Sequence, residues 1–127
     1  MEVQPPDGRT LVNFATNFYT ENDHPTRQAV TLLGRRIVIE ATPTSYAWRF
    51  GDGESAATSS PGAAYPALTV THDFRRAGAV SPSVDTTYTG RYRIGRGPWV
   101  AIPETLTVPG AAVALEVVEA RPTLVSY

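Results

Sequence analysis

This chain of 127 residues contains no cysteine, no lysine and no long apolar run. The absence of cysteine excludes disulfides, thiolate zinc sites and a cysteine nucleophile. Apolar segments such as 111–115 are far shorter than the roughly 20 residues of a membrane-spanning helix. A chain of this length suits one domain that buries roughly two-thirds of its unfolded surface. We therefore predict a single domain over residues 1–127, with a lead-in at 1–9, an exit at 121–127 and no membrane span in this segment.

The charge is nearly balanced, because 11 arginines stand against 12 acidic residues and the net charge is −1. Nonspecific binding to nucleic acid depends on clustered positive charge that neutralises phosphates. The balance therefore predicts that nucleic acid is not a partner.

The sequence also lacks the shortest motifs of common enzymes, namely G-x-S-x-G, H-E-x-x-H and the P-loop. His72 and Asp73 are adjacent, but neighbouring strand residues point to opposite faces, so Asp73 is badly placed to orient the His72 imidazole. His24 has no second histidine or cysteine at a ligand spacing. We predict no catalytic residue, no cofactor and no enzymatic activity.

The most specific segment of the chain is 46–53, Tyr-Ala-Trp-Arg-Phe-Gly-Asp-Gly. Aromatic residues at alternate positions indicate a strand with one buried face. Asp52 stands between two glycines, which accept positive φ, and its carboxylate can accept hydrogen bonds from amides just downstream. The segment predicts a buried strand that ends in a tight turn, with a structural role.

Short strands between glycine and proline turns predict the rest of the fold. The predicted strands cover residues 11–20, 29–33 with 37–42 as one interrupted strand or a short hairpin, 46–50, 68–74, 80–88, 88–94, 98–102 and 113–117. We expect Val12, Phe14 and Phe18 on one inner face, Ile37, Ile39 and Ala41 on another, and a strand end at Pro43. Residues 54–67 predict a long loop, and residues 95–97 predict a hairpin turn. Pro82 predicts a bulge or a stretch that is unpaired on one side. With no helical pattern, the fold class is all-β, an antiparallel β-sandwich.

The segment 48–53, followed by Thr71-His72-Asp73-Phe74 and Gly78, resembles the PKD domain, the polycystin-type repeat. The positions that match that family's motif are Trp48, Phe50, Gly51, Asp52, Gly53, His72, Phe74, Gly78, Val80 and Val84. Arg49 stands where the family often has Asp, and Pro82 interrupts a strand. The resemblance is strongest over residues 37–84, and it implies an immunoglobulin-like antiparallel sandwich, here with an extended β-hairpin.

The whole chain is similar to PKD-like segments of exported proteins and lipoproteins of high-GC Gram-positive bacteria, on residues 10–14 and 120–122. The exclusive use of arginine as the basic residue also fits a GC-rich genome. The similarity implies an extracellular or cell-surface location, with the export signal outside this segment.

Arg91, Arg93, Arg96 and Trp99 give one hairpin a basic and aromatic composition, which is typical of binding hot spots and glycan surfaces. The alternative is a solvated hairpin face whose Tyr88, Tyr92 and Ile94 pack inward. A binding module should expose Trp99, whereas a structural spacer should bury it.

Three carboxylates, those of Asp52, Glu54 and Asp73, are candidates for a calcium site, since some PKD domains resemble calcium-binding modules. The spacing of an EF-hand loop is absent, and the structural role of Asp52 in its turn favours no metal.

The basic and aromatic hairpin predicts noncatalytic binding of a protein or polysaccharide, and the resemblance implies that this occurs at the cell surface within a larger exported protein. The alternatives are a structural spacer, an accessory domain of a hydrolase, or a subunit of an extracellular or virion assembly. Pairing of Leu124 to Tyr127 with the edge strand of another copy would allow self-association.

Overall fold

A computed structural model describes residues 1–119, and over these residues the chain is all-β, without a helix. The strands are β1 (Glu2–Gln4), β2 (Arg9–Leu11), β3 (Ala15–Tyr19), β4 (Thr26–Leu32), β5 (Arg35–Arg49), β6 (Ser55–Thr58), β7 (Val70–Asp73), β8 (Gly78–Val80), β9 (Ser83–Ile94), β10 (Val100–Val108) and β11 (Leu115–Val118). The all-β prediction is confirmed. The predicted pairing of Leu124 to Tyr127 lies outside the described residues.

The part of the chain that the structure describes forms one large sheet and two small sheets. The large sheet has the order β10-β9-β5-β4, with β6 paired to the end of β5, and the small sheets have the orders β1-β3-β7 and β2-β11-β8. All the pairings are antiparallel except that of β11 with β2. The arrangement is consistent with a β-sandwich.

The hydrophobic core lies at the Trp48 end of β5. Trp48 and Phe18 are fully buried, and Val117 is 1% exposed. The Phe18 ring, on the β3 sheet, lies 5.1 Å from the Phe50 ring at the end of β5. Burying side chains of this size contributes roughly 2 to 3 kcal/mol each. These contacts hold the β3 sheet against the large sheet.

The other half of the large sheet extends beyond this core. It consists of residues 26–42 and 89–102, and we call it the distal sheet. Every residue of β4 is exposed, and Ile39 and Val100 remain 39% and 43% exposed. The prediction that Ile39 packs inward is therefore wrong, because the strand continues past the region that the small sheets cover.

The long β5 strand differs from the predicted one. Pro43 does not end the strand, since β5 continues to Arg49 and pairs with β9 along its length. A register shift between Pro43 and Ser45 accommodates the proline, which has no amide hydrogen for the ladder. The hairpin alternative for the preceding segment is confirmed by the pairing of β4 with β5.

The inner-face prediction for Phe14 also fails, the predicted strand over residues 68–74 starts later than expected, and the predicted long loop contains a strand. Phe14 is 46% exposed, because Asn13 adopts a φ of 57° and separates β2 from β3. Leu68 has a φ of 44° and is exposed, so β7 begins only at Val70. Within the predicted loop 54–67, β6 pairs with the end of β5. The predicted hairpin over residues 95–97 and the unpaired Pro82, between β8 and β9, are confirmed.

Candidate functional site

Strand register brings charged residues of three strands onto one face of the distal sheet. Glu40 on β5 pairs with Arg27 on β4 and with Arg91 on β9. Directly paired residues of antiparallel strands share a face. Residues two positions away on the same strands point the same way, which adds Arg93.

Glu40 joins two of these arginines. Its carboxylate oxygens accept hydrogen bonds from Nε of Arg27 at 2.7 Å and from Nε of Arg91 at 2.8 Å. Glu40 is 7% exposed. The hydrogen bond from Arg91, followed by that from Arg27, holds the pKa of Glu40 below its ordinary value of 4.5. The carboxylate is therefore ionised at neutral pH and orients both guanidinium groups.

Trp99 lies beside the same arginines, just before β10. Its ring centroid is 4.3 Å from the guanidinium carbon of Arg91, 5.2 Å from that of Arg93 and 5.3 Å from that of Arg27. The residue itself is half-buried. Cation–π contacts of this kind contribute about 0.5 to 1 kcal/mol each at exposed sites. Trp99 therefore holds three positive charges close together while it keeps part of its surface in solvent.

Arg96 and Arg36 complete the set, because both line a cleft next to Arg93 and Arg27. We call these five arginines together with Trp99 the arginine face: Arg27, Arg36, Arg91, Arg93, Arg96 and Trp99. The structure brings together the four predicted binding residues Arg91, Arg93, Arg96 and Trp99. The alternative predicts that Tyr88, Tyr92 and Ile94 pack inward. The two tyrosines are half-buried, whereas Ile94 is 43% exposed.

Sequence reasoning missed Arg27, Arg36 and Glu40. A two-residue hairpin turn at Leu33 and Gly34 would have predicted them, because such a turn fixes which residues of its two strands lie opposite each other. That register places Arg27 opposite Glu40.

A second cluster surrounds the tight turn after β5. Asp52 Oδ1 accepts a hydrogen bond from the Glu54 amide at 3.0 Å, which confirms the predicted structural role of Asp52. Its Oδ2 lies 2.7 Å from Nε2 of His72. The His72 ring stacks on Phe50 with a centroid distance of 4.1 Å. Burial raises the pKa of Asp52, but the hydrogen bonds from His72 and the Glu54 amide outweigh it and leave that pKa below its ordinary value of 3.8.

This cluster contains two of the three predicted calcium ligands, Asp52 and Glu54. Ligand atoms of Asp52, Glu54 and His72 lie within 4.8 Å of one another, and Asp73 is not part of that group. Calcium prefers a shell made of oxygen atoms, whereas this group includes an imidazole. The hydrogen bond between His72 and Asp52 gives the cluster a structural role, and calcium binding stays a prediction.

The described residues include no helix long and apolar enough to cross a membrane. Comparisons with protein-family models, with curated proteins and with solved structures gave no match.

Proposed function

We propose that this chain is a PKD-like, immunoglobulin-type module of a larger exported bacterial protein, and that it binds a protein or carbohydrate at the cell surface without catalysing a reaction. The family assignment is supported by the motif residues. Trp48 and Phe50 lie in the core, and Asp52 accepts the amide of its own turn. Both features belong to the segment on which the resemblance rests.

The observation that carries the binding proposal is the partly exposed Trp99 beside three guanidinium groups. Tryptophan and arginine are the residue types that most often dominate binding energy at interfaces. The arginine face lies on the distal sheet, outside the hydrophobic core. A module that only separates its neighbours has no need of such a cluster.

The noncatalytic part of the proposal is supported by His72. Its side chain is 9% exposed, it stacks on Phe50 and it is hydrogen-bonded to Asp52. A histidine with these contacts stabilises the turn.

The test is a thermal unfolding titration of the chain against a panel of neutral and acidic cell-wall and plant polysaccharides and cell-surface protein extracts. A ligand that binds only the folded state stabilises it by RT ln(1 + [L]/Kd), about 2.7 kcal/mol at 100 times Kd. We expect at least one ligand to raise the midpoint. The shift should disappear in Trp99→Ala and remain in Tyr65→Ala, which removes an aromatic side chain that is 72% exposed and lies outside the arginine face.

A folded chain whose midpoint responds to no member of the panel would contradict the proposal and favour the structural spacer. A shift that is the same in Trp99→Ala would place the binding site elsewhere on the molecule.

A further inference from the structure

We infer that the ligand of the arginine face is an acidic polysaccharide, whose sulfate, phosphate or carboxylate groups bind between the guanidinium groups. The inference rests on the proposed function and specifies its ligand. It depends on the cleft beside Trp99, on unbalanced charge and on one buried donor without an acceptor.

The cleft has a volume of about 570 Å³. Its lining residues are Arg27, Ala29, Arg36, Val38, Arg93, Gly95 and Arg96. Four of the seven are arginines and none is acidic. The remaining three are small or apolar, so the charged groups that face the cleft are all positive.

The positive charge of the arginine face is only partly neutralised within the protein. Five arginines and one carboxylate, that of Glu40, leave an excess of four positive charges. Glu40 pairs with Arg27 and Arg91. Within residues 1–119, Arg36, Arg93 and Arg96 have no carboxylate within 4 Å of their guanidinium groups. Their mutual repulsion favours the binding of an anion.

Arg93 provides independent evidence for an acceptor. Its Nε is buried and has no hydrogen-bond partner within residues 1–119. A buried donor without an acceptor is unfavourable, and such groups in folded proteins call for a partner. Arg93 lines the cleft, and its guanidinium carbon lies 5.2 Å from the Trp99 ring centroid. An oxyanion that binds this guanidinium group from the cleft would bring acceptor oxygens next to Nε. Guanidinium groups bind planar oxyanions through paired hydrogen bonds.

The arrangement of the arginines favours a polymer over a single small anion. They come from β4, β5, β9 and the following turn. Neighbouring strands are about 4.8 Å apart, and residues two positions apart on one strand are separated by roughly 6.6 Å. Positive groups are therefore distributed over a sheet surface, which suits a chain that carries repeated charges.

The chemistry of the face favours a glycan over nucleic acid or an acidic protein. Single-stranded nucleic acids bind through bases that stack on open aromatic faces, whereas the Trp99 ring already contacts three guanidinium groups. Protein partners usually insert large apolar or aromatic anchors into pockets. Here the apolar part of the cleft is only Ala29, Val38 and Gly95.

The experiment is a calorimetric titration with dextrans of equal length: neutral dextran, carboxymethyl-dextran, dextran phosphate and dextran sulfate. Poly-glutamate and single-stranded DNA of similar charge serve as competitors. The variant combines Arg36→Gln, Arg93→Gln and Arg96→Gln. A matched control combines Arg9→Gln, Arg75→Gln and Arg76→Gln, which removes the same charge from other strands and turns. Thermal unfolding establishes that both variants are folded.

We expect at least one charged dextran to bind and neutral dextran not to bind. The cleft variant should lose roughly hundredfold or more in affinity, since hydrogen bonds to charged groups each contribute about tenfold. The control should stay within about threefold of the unchanged chain. The affinity should fall as salt rises from low to high concentration, because the charges are partly exposed.

Equal losses in the two variants would overturn the inference by showing that only the net charge matters. Tighter binding of DNA or poly-glutamate than of every charged dextran would overturn the assignment to a glycan. If the cleft variant still binds a ligand from the panel, the inference that the ligand is acidic is wrong, but the proposed binding function is not contradicted. A folded chain that binds neither the dextrans nor any member of the panel would overturn both.

Discussion

At the residue scale, the turn after β5 shows how one glycine differs from another. Gly51 and Gly53 both have positive φ, 89° and 94°. A Cβ atom at Gly51 would lie 2.8 Å from the amide nitrogen of Ser81, whereas one at Gly53 would meet nothing within 4 Å. Both positions therefore favour a residue that accepts positive φ. At Gly51 a side chain would also clash with the backbone of Ser81.

We expect Gly53→Ala to lower the free energy of unfolding by about 1 kcal/mol, the cost of positive φ for a residue with a Cβ atom. Gly51→Ala should lower it by about 3 kcal/mol or more, because a steric clash with backbone is added. Urea unfolding of the two variants measures the difference. Equal losses would contradict the close approach of Gly51 to Ser81.

The lowered pKa of Asp52 predicts how the stability of the folded chain changes with pH. Because its pKa in the folded chain lies below the ordinary value of 3.8, the ionised carboxylate stabilises the folded state above that pH. This stabilisation is lost as the pH falls through the lower, folded-state pKa. We expect Asp52→Asn to be less stable than the unchanged chain at neutral pH and to lose less of its remaining stability under acid.

Urea midpoints measured from neutral pH down to below pH 3.8 test this expectation, with Asp7→Asn, at an exposed position of the lead-in, as the control. Parallel pH profiles for Asp52→Asn and the unchanged chain would show that the hydrogen bonds from His72 and the Glu54 amide do not stabilise the carboxylate.

At the scale of elements, the hairpin of β4 and β5 determines the geometry of the arginine face. Its two-residue turn has φ values of 52° at Leu33 and 75° at Gly34. Positive φ at both positions is the type I′ pattern, for which Asn-Gly is preferred. Leu33 is 97% exposed, so its side chain contributes little packing that would offset the backbone conformation.

We therefore expect Leu33→Asn to raise the free energy of unfolding by about 0.5 to 1 kcal/mol, since asparagine tolerates the left-handed conformation better than leucine. The control is Leu32→Asn, at an exposed position inside β4, which should lower stability because asparagine is disfavoured in strands. Thermal and urea unfolding provide the comparison. A lower stability for Leu33→Asn would contradict the type I′ geometry.

The sequence predicts an element well when neighbouring residues determine it, and poorly when distant strands must pair first. Alternating aromatics and the turn after them are local signals, and Trp48, Phe50 and Asp52 lie where the sequence placed them. The break at Asn13 follows from a single left-handed residue inside a pattern that continues to alternate, so Phe14 was placed on the wrong face. The contact of Arg27 with Glu40 depends on the register of the β4–β5 hairpin, which the sequence left as one of two alternatives.

At the scale of the whole molecule, the large sheet serves two regions with different physical demands. One end packs Trp48 against the small sheets within the cluster of buried hydrophobic residues. The distal sheet carries an excess of positive charge although the net charge of the chain is −1. Such an asymmetric distribution orients and attracts an acidic partner more effectively than the net charge suggests. The composition does not reveal this uneven distribution of charge, because the arginines come together only when the strands pair.

The two tryptophans allow the most direct test of binding at the arginine face. Trp48 is fully buried, and its Nε1–H donates to Thr58 Oγ1 at 2.8 Å, whereas Trp99 is half-buried beside the arginines. The measurement is a series of nitrogen–proton NMR spectra of the two indole groups during separate titrations with carboxymethyl-dextran, dextran phosphate and dextran sulfate, and the result is read from whichever of them binds. We expect the Trp99 resonance to shift in a saturable manner while the Trp48 resonance stays in place. Saturable shifts elsewhere with Trp99 unchanged, or no shift at all, would contradict binding at the arginine face.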